Sequence, residues 1–230
     1  MNYFKKFIFS LKEIIIVYII QYLVVMISSV IYHISNGENI QNFILTYVPY
    51  ILLIANILII IFLFKKYYHK EKKLTPKIII PLILSGIFLA TFLNMILFLF
   101  QSAPNITTLP VVTIIISTAI IGPILEELLF RYIYLNNLLK FNTETNAIMI
   151  NTVIFSMLHG SLYNMLYAFI IGLILCKIYL KYKNIYANII FHMSANLIVI
   201  FLSSFNIYLL IVSIIGVLIS YFLINKYTPS

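Results

Sequence analysis

Long runs of apolar residues, separated by short polar segments, constrain this chain more than any other feature. A helix rises 1.5 Å per residue, so about 20 apolar residues are needed to cross a hydrocarbon core about 30 Å thick. Eight runs reach or approach that length, and the sequence predicts a transmembrane helix in each. The predicted spans lie near residues 14–31, 43–64, 78–100, 111–139, 143–159, 162–179, 185–202 and 207–224.

The composition agrees with this pattern. Of the 230 residues, 63% are hydrophobic and only 9% are charged, whereas a soluble globular domain carries about 25% charged residues. Lipid must therefore surround most of the chain. We expect an all-α, polytopic membrane helical bundle forming a single domain over residues 1–230, with no internal repeat or linker. No small-residue cleavage site follows the first run, so it is expected to be a retained span rather than a signal peptide.

The basic residues indicate the orientation of the spans. With eight spans, all fifteen Lys and Arg residues fall on the side that holds both termini, or in that half of their helices. Six of the lysines lie in the segment Lys65–Lys77, and the loops around Glu38, Pro104 and Ser204 contain none. By the positive-inside rule, both termini are predicted to be cytoplasmic. The net charge of +9 therefore reflects membrane topology, and we expect no nucleic-acid partner.

Ionisable side chains within the predicted spans are few, and they are concentrated in the second half of the chain. Each costs about 2.5–3.5 kcal/mol to place in the bilayer centre, so such residues are candidates for a functional site. The first three spans carry milder polar groups only and are expected to be lipid-facing support. Away from the helix ends, the ionisable residues of the later spans are Glu126, Glu127, Arg131, His159 and His192.

The fourth span carries two adjacent acids just after Pro123, which is expected to bend the helix. Glu127 and Arg131 are four residues apart, so they share a helical face and can form an ion pair. Glu126 points about 100° away from that face. We therefore interpret Glu127 as structural and Glu126 as chemically active. The alternative is an ion-pair network that only holds helices together.

Two further spans bring imidazoles to a similar depth. Phe155 lies one turn before His159, and His192 lies one turn before Asn196. A buried glutamate can act as a general base on water, while imidazoles can hold the water, carry a proton or ligate zinc. An amide or imidazole N–H can stabilise an oxyanion. Together these groups predict hydrolysis of an amide bond by activated water.

These residues resemble the three motifs of the CAAX-protease and bacteriocin-processing family of intramembrane proteases. Glu126, Glu127 and Arg131 match its E-E-x-x-x-R motif; Phe155 and His159 match F-x-x-x-H; His192 and Asn196 match H-x-x-x-N. The resemblance covers about residues 111–202, the expected catalytic core.

The resemblance implies endopeptidase activity on membrane-associated peptides, with an intramembrane active site. It implies that Glu126 activates water, that His159 and His192 surround it, and that Asn196 supports the oxyanion. The family is usually described as metal-dependent, which would make Glu126, His159 and His192 ligands of Zn²⁺, although a metal-free glutamate mechanism is also argued. Prokaryotic relatives are linked to peptide-signal processing and bacteriocin immunity, and a bacterial cell membrane is the expected location.

Two other functions are compatible with a membrane bundle. A non-catalytic scaffold of the same fold has no reason to keep the costly acid and imidazoles. A small transporter predicts polar residues along the whole bilayer and related halves, whereas here the ionisable residues cluster. The single cysteine, Cys176, is expected to be a small buried hydrophobe.

Overall fold

A computed structural model describes residues 3–36, 43, 46–69, 71–100 and 109–227. Within these ranges the chain forms helices and no strand, which confirms the predicted all-helical class. The predicted loops around Glu38 and Pro104 lie outside the described residues. The eight helices of the described part are α1 Tyr3–Asn36, α2 Val48–Tyr67, α3 Ile79–Leu97, α4 Val111–Leu138, α5 Glu144–Met157, α6 Leu162–Tyr182, α7 Ile185–Val199 and α8 Ile207–Tyr227.

Each predicted span coincides with one of these helices, but their lengths differ. Six are long and apolar enough to cross a membrane, so this is a multi-span membrane protein. The other two, α5 with 14 residues and α7 with 15 residues, extend for only about 21 and 22 Å. These two short helices carry Phe155, His192 and Asn196, and His159 lies just beyond the end of α5.

Helix α1 begins at Tyr3, well before the predicted start near residue 14. The prediction was wrong at this end because charged residues end an apolar run without ending a helix. Glu13, at the predicted boundary, is buried and pairs with Lys66 at 3.0 Å. A lysine at the end of α2 therefore offsets the charge of this acid.

Side-chain caps explain where the helices of the second half begin. Thr143, Ser161 and Asn184 each accept a hydrogen bond from the backbone N–H three residues later, at 3.4, 3.2 and 3.3 Å. Such caps satisfy one of the exposed N–H groups of a first helical turn. Between α5 and α6 the chain reverses at Gly160, whose φ of 75° is accessible to glycine at little cost. The expected helix break at Gly160 is thus confirmed.

The chain divides into two compact units, each made of two separate segments. The first unit comprises residues 1–69 and 106–141 and contains α1, α2 and α4. In it, α1 packs against α2, and both pack against α4. The Gln21 side-chain amide donates to the Asn56 side-chain oxygen at 2.8 Å, which links α1 to α2.

The second unit comprises residues 70–105 and 142–230 and contains α3 and α5 to α8. Helix α3 packs against α7 and α8, while α6 packs against α5 and α7. Its cluster of buried apolar residues consists of Ile78, Leu82, Leu93, Ile171, Leu175, Ile178, Ala187 and Phe191. The single domain predicted for residues 1–230 stays a prediction.

Candidate active site

The adjacent acids of α4 lie in the first unit, and Glu127 forms the predicted ion pair. Arg131 Nη1 donates to Glu127 Oε1 at 3.1 Å, and both side chains are 0% exposed. Glu126 is half-buried on a different face of the same helix. The two acids therefore differ in environment, as their positions on the helix predicted.

Helix α4 is α-helical only in part. A π-helical stretch, Ile115–Ile121, precedes the acids, and a second one, Leu128–Leu135, follows them. At the end of the first stretch the Gly122 N–H donates to the Ser117 carbonyl, five residues back, directly before Pro123. The wider turn accommodates a proline that lacks an N–H and whose ring crowds the preceding turn. Single π-helical turns are frequent at functional sites.

Sequence reasoning predicted a bend at Pro123 but missed the second π-helical stretch. Leu128–Leu135 contains no proline or glycine, and all eight of its residues are buried. No residue type within it signals a widened turn.

The imidazoles of the second unit meet at Phe155, which is 1% exposed. Its ring centroid lies 4.6 Å from that of His159 and 6.2 Å from that of His192, the latter in an edge-to-face arrangement. His192 is 3% exposed, and His159 is half-buried. The phenylalanine of the second motif thus packs between both histidines and limits the orientations of their rings.

His159 lies just beyond the end of α5, in the turn that leads to Gly160. Its Nδ1 is 2.8 Å from the Phe155 carbonyl oxygen, which lies in the last turn of α5 and also accepts the Leu158 N–H at 3.4 Å. Because a carbonyl only accepts, Nδ1 must carry the proton of this hydrogen bond. The neutral ring then has its lone pair on Nε2, which can accept a proton from water or bind a metal ion.

Asn196 is half-buried and lies one turn after His192 on α7. The structure therefore brings Phe155, His159 and His192 together in the second unit, with Asn196 one helical turn from His192. Their predicted cooperation with Glu126 stays a prediction.

The side chains of each unit can be examined as possible metal ligands. Two imidazoles against one aromatic ring are suitable nitrogen donors for zinc. Taken by itself, neither unit groups three or more His, Cys, Asp or Glu side chains as a metal site, among the residues that the structure describes. Zinc ligation by Glu126, His159 and His192, as implied by the resemblance, stays a prediction.

Sequence reasoning also missed two buried asparagines that precede the motif residues. Asn151 lies one turn before Phe155, and Asn188 lies one turn before His192; both are 0% exposed. The four-residue spacing from the motif residues would have identified them, had buried amides been sought along the same faces.

Comparison with known proteins gives a family match and a related protein. A family model described as "Type II CAAX prenyl endopeptidase Rce1-like" matches residues 107–198. A protein from Bacillus subtilis (strain 168), named "Putative membrane peptidase YdiL", is 34% identical over 86 residues. That alignment covers 37% of this chain and 35% of the relative, about a third of its length. No solved structure matches the chain.

The matched segment contains every residue of the three motifs, from Glu126 to Asn196. The resemblance predicted from those motifs is therefore confirmed, since residues 107–198 match the Rce1-like family of CAAX prenyl endopeptidases.

Proposed function

We propose that this chain is an intramembrane endopeptidase in which Glu126, His159, His192 and Asn196 act together on a peptide bond. The observation that carries the proposal is the pair of imidazoles held against Phe155, with the lone pair of His159 directed to Nε2 by its Nδ1 hydrogen bond. The family match over residues 107–198 supports it, because that segment holds all four residues.

In the proposed reaction, Glu126 accepts a proton from a water molecule, and the water oxygen attacks the carbonyl carbon of the substrate. The Asn196 amide and an imidazole N–H donate to the oxyanion that develops. The C–N bond then breaks, and the proton held by Glu126 passes to the leaving amine. The buried Glu127–Arg131 pair supports this region of α4 without taking part in proton transfer.

The proposal has a metal-dependent and a metal-free form. If Zn²⁺ is bound, its ligands are His159, His192 and Glu126, and it supplies Lewis-acid activation of water or carbonyl. In the metal-free form, Glu126 alone takes the proton, while His159 Nε2 accepts a hydrogen bond from the water and orients it. Glu126 and His159 would therefore ligate the metal in one form and act directly on the water in the other, while Asn196 supports the oxyanion in both.

The substrate class that we propose is a peptide anchored at the membrane. The family description favours a prenylated peptide of the Cys-aliphatic-aliphatic-X type. Unprenylated precursors of secreted peptide signals or bacteriocins are the second class to be distinguished. The proposed location is a bacterial cell membrane with both termini on the cytoplasmic side, which the distribution of lysines supports.

The test is cleavage of a quenched-fluorescent farnesylated peptide by the purified, reconstituted protein. Glu126→Gln keeps the shape of the side chain but cannot accept the proton, so the cleavage rate should fall by at least about a hundredfold. The matched control is Glu144→Gln, which changes an exposed acid in the first turn of α5 and should leave the rate unchanged.

Each outcome of this experiment has a defined meaning. If the wild-type protein cleaves an unprenylated peptide equally well, the peptidase assignment stands and the prenyl group is not part of recognition. If the wild-type protein cleaves neither peptide, the peptidase proposal fails and a non-catalytic scaffold replaces it. If Glu126→Gln retains the wild-type rate, the assignment of Glu126 as the proton acceptor fails.

A further inference from the structure

A polar stripe on α7 includes the motif residues and begins about two turns before them. Its members are spaced four residues apart, so they share one face of the helix. The first two members are hydrogen-bonded to the backbone of neighbouring segments, before the stripe reaches the motif. The stripe consists of Asn184, Asn188, His192 and Asn196.

Asn188 anchors this stripe to α6. Its Nδ2 donates to the Leu175 carbonyl oxygen at 2.7 Å, and the side chain is 0% exposed. One turn earlier, Asn184 Nδ2 donates to the Lys72 carbonyl oxygen at 2.6 Å. These two bonds restrain the rotation of α7 about its own axis, and that rotation determines where the His192 ring points.

A comparable spacing occurs along α5 and the turn after it, where Asn151, Phe155 and His159 are also four residues apart. The Cys176 thiol donates to Asn151 Oδ1 at 3.3 Å, and both side chains are 0% exposed. Asn151 therefore anchors α5 to α6 two turns before His159.

The two anchors meet α6 at neighbouring residues. Asn188 bonds Leu175, and Asn151 bonds Cys176, so the helices that lead to the two imidazoles are fastened to the same turn of α6. Lipid provides little hydrophobic drive for packing one helix on another, and interhelical hydrogen bonds help to determine the arrangement. This shared turn fixes how far apart the two imidazoles lie around Phe155.

We propose that Asn188 and Asn151 are positioning residues, which set the orientation and spacing of the two imidazoles through the Leu175–Cys176 turn. The proposed function rests on that geometry, and the catalytic meaning of this inference rests on the proposed function. The proposed effect of the two asparagines on the positions of the His159 and His192 rings does not depend on the proposed function.

The decisive experiment measures the histidine rings directly. The chain has four histidines, so selective ¹⁵N-histidine labelling of the full-length protein in detergent micelles gives a small set of ring signals. Asn188→Leu removes the donor at similar volume, and the Leu175 carbonyl keeps its place in the backbone hydrogen-bond ladder of α6. We expect the His192 ring signals to shift and the cross-peak between the His192 and Phe155 rings to be lost.

The matched control is Asn56→Leu, which removes the 2.8 Å bond from Gln21 between α1 and α2. It deletes one interhelical amide bond of the same kind, in the other unit, and should leave the His192 signals unchanged. Cys176 offers a second pair of variants. Cys176→Ser retains a donor and should preserve the signals of both rings, whereas Cys176→Val should shift those of His159.

Activity adds a second readout. In the peptide assay, Asn188→Leu should lower kcat by about tenfold with KM unchanged, because substrate binding is kept while the reacting groups are misplaced. Unaltered His192 ring signals in Asn188→Leu, together with unaltered ring signals in Cys176→Val, overturn the inference. If the wild-type protein cleaves no peptide, the proposed function fails, but the ring signals still decide whether the two asparagines position the imidazoles.

Discussion

The contact between α3 and α7 at Gly86 provides a sharp test of how the imidazoles are positioned. A Cβ atom built on Gly86 would overlap the Phe191 carbonyl oxygen and Ser194 Oγ, and would lie 3.2 Å from the Ala195 nitrogen. The serine hydroxyl can rotate away, but the carbonyl belongs to the α7 backbone. Gly86→Ala must therefore move α7, which carries His192 between two of these residues.

The size of the effect follows from this geometry. Restoring an ordinary contact between the new Cβ and the carbonyl oxygen requires roughly an ångström of separation between the two helices. Overpacking of this kind costs about 1–3 kcal/mol of stability. A displacement of about 1 Å at reacting groups can cost about a hundredfold in rate. We therefore expect a moderate loss of thermal stability in detergent and a fall of about a hundredfold in kcat/KM for peptide cleavage.

Gly216→Ala is the matched control, because the new Cβ would meet the Phe88 side-chain ring at the contact of α3 with α8. A ring can shift where a backbone carbonyl cannot, and α8 carries none of the motif residues. We expect a comparable or smaller loss of stability with activity retained. Adding Ser194→Ala to Gly86→Ala should restore little, since the Phe191 carbonyl remains in place. Wild-type turnover by Gly86→Ala, or equal loss of activity in Gly216→Ala, would refute the reasoning.

Three further predictions follow from the site. Glu127→Ala leaves the buried Arg131 cation unpaired and should lower the free energy of unfolding by about 3–5 kcal/mol. Glu126→Ala should instead abolish cleavage with nearly normal folding. Equal loss of folded protein in detergent from the two changes contradicts this division of roles. Alanine variants of the two motif histidines should each be nearly inactive and the double variant scarcely worse, and activity that survives exhaustive chelation removes the metal-dependent form. An impermeant thiol reagent should label a cysteine introduced at Ser204 but not one at Lys72 in intact cells, and labelling at Lys72 reverses the predicted topology.

The existence of the helices could be predicted because the bilayer dictates their length and apolar character. Their ends could not be predicted as well, since α1 begins at Tyr3 and continues through Glu13, whose charge is offset by Lys66 on another helix. The Glu127–Arg131 pair was predictable because both residues lie on one helix at a fixed spacing. Bonds from Asn188 to Leu175 and from Cys176 to Asn151 depend on packing between helices, and periodicity carries no such information.

The hydrogen bond of His159 shows why a motif can identify a residue without identifying its chemical state. F-x-x-x-H places Phe155 and His159 on one face only if the helix continues through both. The helix instead ends at Met157, and the His159 ring turns back to the Phe155 carbonyl. The proton on Nδ1 is a consequence of that ending, which no spacing rule contains.

The short length of α5 and α7 leaves backbone carbonyls at the helix ends in need of hydrogen-bond donors, and at α5 this need orients the His159 ring. If each helix starts at a membrane surface, its far end lies within a hydrocarbon core about 30 Å thick, and the carbonyls freed there need donors. At the end of α5, the imidazole of His159 supplies one of those donors through Nδ1. The hydrogen bond from His159 Nδ1 to the Phe155 carbonyl therefore also leaves the Nε2 lone pair of the ring for other partners. The Phe155 carbonyl also accepts a long bond of 3.4 Å from the Leu158 N–H. Extending α5 by a turn through Gly160 would replace that long bond with the regular bond from the His159 N–H and release the ring from this orientation, so the early end of the helix is itself part of the candidate site.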